Sequence, residues 1–166
     1  MVSAVFEEAG GTLDFYYQVN LLAISTNCPS SQHPTCDPLG RETDTDFTGF
    51  LTEVATRADG SSLSGGLFVN GTAIPLSADR SATGDVVGFN FTPPCCSFEI
   101  QPGTSSLVLV IATNATNFTA GNASVIDGGT TTVAAFEPAA AVPEPSYVVV
   151  IGGALLALGL VRRRTV

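Results

Sequence analysis

Residues 12–24 read TLDFYYQVNLLAI. Leu13, Phe15, Tyr17, Val19 and Leu21 fall at every second position, with Asp14, Tyr16, Gln18 and Asn20 between them. Successive side chains of a strand point to opposite faces, so this alternation predicts a half-buried β-strand with its oily side on a core. The period recurs downstream, where Val87, Phe89 and Phe91 alternate with Val86, Gly88 and Asn90. Residues 107–111, LVLVI, form an unbroken apolar run and predict the most deeply buried strand. Residues 123–126 and 130–136, split by Asp127-Gly128-Gly129, read as a hairpin. Residues 67–69 and 72–74 flank Asn70-Gly71, a pair that supplies the two positive φ angles of a type I′ turn, and predict another. Residues 46–58, DFTGFLTEVATRA, carry two signals. Phe47, Phe50, Leu51 and Val54 fit helical spacing, whereas Thr48, Thr52 and Thr56 favour strand, and we read strand. About seven or eight short strands with turn residues between them predict an all-β body, an antiparallel β-sandwich over residues 1–138.

Composition agrees. The chain has 166 residues, enough for one domain with a core, and its 45% hydrophobic and 13% charged content excludes the disordered class. All fifteen Asp and Glu lie at or before Glu144, and only Arg41, Arg57 and Arg80 oppose them there, a net of −12. No lysine is present. Such a body repels phosphate backbones, which excludes nucleic acid as a partner and makes the acidity that of a solvated outer surface.

The C-terminus has a different character. After the Ala139–Ala141 linker comes Val142-Pro143-Glu144-Pro145-Ser146. Pro143 and Pro145 lack backbone donors and hold φ near −65°, so this stretch stays extended and open to a processing enzyme that binds extended backbone. An apolar segment follows. Tyr147, Val148, Val149, Val150 and Ile151 begin it, and Gly152, Gly153 and Ala154 continue it. Leu155, Leu156, Ala157, Leu158, Gly159, Leu160 and Val161 complete it. As a helix, Tyr147–Val161 spans roughly 22 Å, short of the ~30 Å hydrocarbon layer. It is apolar on every face, and Arg162, Arg163 and Arg164 behind it can snorkel to headgroups. We read one C-terminal transmembrane helix. The arginines keep residues 162–166 in the cytoplasm and the body outside.

The order of these three parts over residues 142–166 resembles the PEP-CTERM sorting signal of Gram-negative surface proteins. The resemblance implies that Pro143, Glu144 and Pro145 are the recognition motif, Tyr147–Val161 a temporary anchor and Arg162–Arg164 the stop-transfer cluster. It implies a partner, exosortase, an integral-membrane cysteine protease or transpeptidase of bacteria that make extracellular polysaccharide. This chain would be its substrate: held in the inner membrane as a precursor, then passed to the cell surface or extracellular matrix. The body, with TLDFYYQVN near its start and DGGTTTVAAFEPA near its end, also resembles ectodomains of such proteins, which brings no activity.

Export requires an N-terminal signal, yet residues 1–15, MVSAVFEEAGGTLDF, hold no basic residue and already contain Glu7 and Glu8. The export reading therefore expects this start to lie within a longer gene product, with Ser3-Ala4-Val5 as the remnant of a cleavage site.

The remaining chemistry is sparse. His33 is the only histidine and no GxSxG elbow surrounds a serine, so we expect no enzyme and no cofactor. Cys28 and Cys36, then adjacent Cys95 and Cys96, match no common structural-zinc spacing. In an oxidising envelope they are candidate disulfides, joining the 28–36 loop to the 95–96 turn or closing that loop, with free thiols and a metal site including His33 as alternatives. Asp44 and Asp46 share the spacing of a calcium loop but lack its glycine and distal glutamate, and read as a solvated strand entrance. Five Asn-X-Ser/Thr sequons, beginning at Asn70, Asn90, Asn114, Asn117 and Asn122, receive no role in a bacterial reading. Two other functional readings stand beside sorting. One is a carbohydrate-binding or adhesive module using an exposed Tyr16 and the acidic loops, the other a secreted enzyme of unrecognised type.

Overall fold

The computed structural model describes residues 1–22, 38–92, 99–127 and 129–140. Among these are nine strands: β1 (Val2–Glu7), β2 (Leu13–Gln18), β3 (Arg41–Asp44), β4 (Thr52–Arg57), β5 (Ser77–Arg80), β6 (Val87–Asn90), β7 (Val108–Thr113), β8 (Asn117–Ile126) and β9 (Thr130–Ala139). They form a four-stranded sheet in the order β1-β2-β7-β4 and a five-stranded sheet in the order β5-β6-β3-β8-β9. Every pairing within both is antiparallel. The only helical element among the described residues is a 3₁₀ turn, Gly60–Ser62. None of these residues forms a helix long and apolar enough to cross a membrane, and the segment Tyr147–Val161 lies outside them.

The two sheets share one core. Phe15, Tyr17, Leu109 and Ile111 from the first meet Val87, Phe89, Ala123 and Ala135 from the second, with Phe47 set edge-on to Phe15 at a centroid distance of 5.8 Å. Fully burying each large apolar side chain contributes roughly 1.5–3 kcal/mol, so this layer drives the fold. The expected alternation is present on β2 and β6, and residues 107–111 supply most of β7, an interior strand of its sheet. The hairpin around Asp127 is also present, with strands extended to Asn117 and Ala139.

Three readings need correction. First, β2 is covered on both faces. Tyr16 is 8% exposed and Gln18 fully buried, because Phe6, Phe68, Val108 and Val110 build a second apolar cluster on the outer side of the sheet. Tyr16 packs against Phe6 and Phe68 at centroid distances of 4.6 and 6.4 Å.

Second, residues 67–74 form no hairpin. Their backbone is captured instead by Gln18, whose Nε2 donates to the carbonyls of Val69 and Ser106, both at 2.8 Å, while its Oε1 accepts from Val69 N–H at 2.9 Å. Gly71 does not take a positive φ. Glycine is needed there because a Cβ would lie 1.7 Å from the Ser106 carbonyl oxygen. Asn70 turns its side chain to accept from Ser61 N–H at 3.0 Å.

Third, residues 46–50 are a turn and only Thr52–Arg57 is strand. Asp46 and Gly49 have φ of 67° and 87°, and Arg80 donates to the carbonyls of Phe47 and Phe50 at 2.8 Å, which holds the turn while Phe47 points inward.

Gln18 and Gly71 should therefore act at one seam. Gln18→Ala leaves buried backbone groups without partners, and we expect it to cost about 1–3 kcal/mol. Gly71→Ala should cost at least as much by forcing the 67–74 segment off the sheet, and urea unfolding of both variants measures the two losses.

Candidate functional site

Strand β3, RETD, occupies the centre of the five-stranded sheet. Its side chains alternate, with Arg41 and Thr43 outward and Glu42 and Asp44 inward. Glu42 sits opposite Phe89 and Val125, and Asp44 opposite Val87 and Ala123, so two carboxyl groups project between the sheets among apolar side chains. Both are fully buried, and among the described residues no hydrogen-bond donor from outside the pair reaches any of their four oxygens. They lie close enough for each to influence the other's titration.

Burial is the dominant influence on both groups and pushes their pKa values upward, Asp44 further raised by the charge of Glu42. Tyr17 closes the site from the facing sheet. Burial, then the charges of Asp44 and Glu42, hold its phenol well above the usual range, and its hydroxyl donates to the Phe136 carbonyl at 2.7 Å. Arg41, next in sequence to Glu42, is turned to the outer surface. There its guanidinium crosses β6 above Gly88 and meets Asp79 of β5 through both terminal nitrogens, at 2.6 and 2.8 Å, and also bonds Asn90. A Cβ at position 88 would fall 2.2 Å from the guanidinium, so a larger residue there would push the Arg41 side chain aside. The paired arginine holds Asp79 well below the usual carboxylate range.

The expected solvated entrance at Asp44 and Asp46 is thus divided. Asp44 is inside the core, whereas Asp46 turns outward and is exposed. Among the described residues no group of three or more His, Cys, Asp or Glu is arranged to hold a metal. The sequence reading missed Glu42 and Asp44 as an interior pair. Its one available signal was the period-two spacing of RETD, which does not say which face is inward.

An open cleft of about 230 Å³ lies between the free edges of the two sheets. Val54, Ala55 and Thr56 line one side, Pro75, Ser77 and Ala78 the other, and Phe89 the floor. Glu42 and Asp44 do not line it. The residues read as functional lie elsewhere. Cys28, His33, Cys36, Cys95 and Cys96, the motif Pro143-Glu144-Pro145, the apolar segment Tyr147–Val161 and Arg162–Arg164 are all outside the described residues.

The raised carboxyl pKa values fix a sign. A carboxyl group that binds its proton more tightly when folded stabilises the fold below its unfolded pKa, and that contribution is lost as pH rises through the folded pKa. Thermal stability should therefore fall as pH increases from the ordinary carboxylate range through neutrality. Glu42→Gln/Asp44→Asn should flatten this dependence and exceed wild type by on the order of 1–3 kcal/mol on the alkaline side, measured by melting temperature across pH.

No family model, curated protein or solved structure matches this chain.

Proposed function

We propose that this is a non-enzymatic envelope protein whose β-sandwich body is exported, anchored through residues 147–161 and processed by an exosortase at Pro143-Glu144-Pro145. The observation that carries the reading is the order of three unlike elements within residues 142–166: a proline-flanked glutamate, a span free of charge and proline, and three consecutive arginines. Each has its own physical requirement, an extended recognition peptide, an apolar anchor and a cationic stop, and they follow one another in the sequence those requirements demand. The position of β9 is compatible with it. That strand ends at Ala139, four positions before Pro143.

The body itself supplies no contact for the adhesive reading at the residue first nominated, because Tyr16 is buried. The adhesive reading is left with the acidic loops alone. Co-expression with an exosortase tests the sorting reading. Wild type should yield a surface-recovered polypeptide shortened at its C-terminus, whereas Pro143→Ala/Glu144→Ala should retain Arg162–Arg164 and stay in the inner membrane. Intact-mass measurement decides, and equal cleavage of both forms overturns the reading.

Disulfide bonding belongs to the same proposal. Leu39 and Ile100 exchange backbone hydrogen bonds, each at 3.0 Å, and Phe91 N–H donates to the Gly40 carbonyl at 2.8 Å. The described flanks of both cysteine-bearing stretches therefore gather at one end of the body. Cys36 is three positions from Leu39 and Cys96 four from Ile100, within reach of one another at ~3.3–3.6 Å per residue. We expect Cys28 and Cys36 to pair with Cys95 and Cys96, and reduction to cost about 2–5 kcal/mol. Alkylation under non-reducing denaturing conditions reads this directly, and four alkylated thiols without reductant would exclude it.

A further inference from the structure

The two sheets have four outermost strands, and three are protected. β1 and β9 lie against each other, and β9 carries Pro138, which offers no donor. β5 has four residues, follows Pro75, and has Asp79 tied down by Arg41. β4 differs. It has six residues without proline or lysine, its only charged side chains are Glu53 and Arg57, and Glu53–Thr56 are exposed. Among the described residues its unpaired side borders the open cleft, beside exposed Leu51 and Val54, which are 73% and 41% accessible.

We propose that β4 is the surface through which two copies of this chain associate, edge to edge and antiparallel, with Ala55 opposite Ala55 of the second copy. Symmetry narrows the register. Directly opposed residues of an antiparallel pair share a face, and a two-fold axis normal to the sheet preserves faces. Each allowed register therefore sets one residue against its own copy. Ala55, Glu53 and Arg57 stand on the outer face, opposite Val110, Ala112 and Val108 of β7, and Val54 and Thr56 on the inner face, opposite Ile111 and Leu109. Centring on Ala55 brings each Glu53 opposite the Arg57 of the second copy, twice by symmetry, and each Val54 opposite a Thr56. Centring on Glu53 or on Arg57 would instead oppose like charges.

Charge complementarity thus selects a second copy of this chain as occupant, and the register with it. Arg57 pairs with Asp59 at 2.8 Å on the outer face of the sheet, the face on which it would also meet the incoming Glu53. The result is a continuous eight-stranded sheet that covers Val54 and roofs the cleft. A ladder this short is smaller than a standard stable interface, so the association is expected in the upper micromolar range.

Sedimentation velocity of the full chain in density-matched non-ionic detergent tests it, with circular dichroism to verify folding. Wild type should form a dimer at about 100 μM, Glu53→Arg and Arg57→Glu alone should each weaken it at least about tenfold, and Glu53→Arg/Arg57→Glu together should restore it. A wild-type monomer throughout that range overturns the proposal. So does a dimer that survives both single reversals, since it would be held elsewhere, including the C-terminal apolar segment.

Discussion

Strands β2 and β7 are covered on both faces, and the rest of the body is arranged around that double burial. On the inner side Phe15, Tyr17, Leu109 and Ile111 meet the second sheet. On the outer side Tyr16, Val108 and Val110 lie beneath Phe6, Phe68 and Leu63, while Gln18 holds the 69–71 backbone against Ser106. A fully buried amide is tolerable only when its hydrogen-bonding groups are partnered, and Gln18 meets that condition by binding backbone that has no other ladder to join. The outer cluster and the irregular segment above it thus stabilise one another. The segment needs an anchor and the sheet needs a cover.

The opposite choice is made in β3. Glu42 and Asp44 occupy the centre of a sheet where apolar residues would pack at no electrostatic cost, and among the described residues no donor from outside the pair compensates them. Desolvation of an ionised carboxylate in such a place is expensive enough that protonation becomes the lower-energy state. Burial therefore favours the protonated forms of the pair, and Tyr17 with the Phe136 carbonyl adds a further polar contact inside the core. The same strand carries Arg41 outward to Asp79, so β3 ties β5 to the sheet on its outer face and holds the acidic pair on its inner face.

The surface follows from how the sheets close. Where β9 reaches across to β1 and β2, the two layers are joined and their edges are unavailable. On the other side β4 and β5 stay apart, leaving a cleft floored by Phe89 and rimmed by apolar residues that the core does not use. Closure on one side and opening on the other place the exposed apolar area and the free strand edge together. The last described strand, β9, lies on the closed side.

Local periodicity was legible in the chain because it is a property of consecutive residues. The two faces of β2, the spacing of Val87, Phe89 and Phe91, the run 107–111 and the turn at Asp127 required no knowledge of distant contacts. The order of motif, apolar span and arginines at residues 142–166 is likewise written in the primary structure alone. What covers each face was not legible. Gln18 meets Val69 across 51 positions, and Tyr17 meets Phe136 across 119. Asn70-Gly71 obeyed that first contact rather than its own turn preference, and Tyr16 disappeared beneath Phe68 by the same docking. RETD likewise announced an alternation, but only the stacking of two sheets decided that its acids would face inward. Alternation separates a strand's two sides. Whether a side meets water or protein depends on contacts that form only when the sheets assemble.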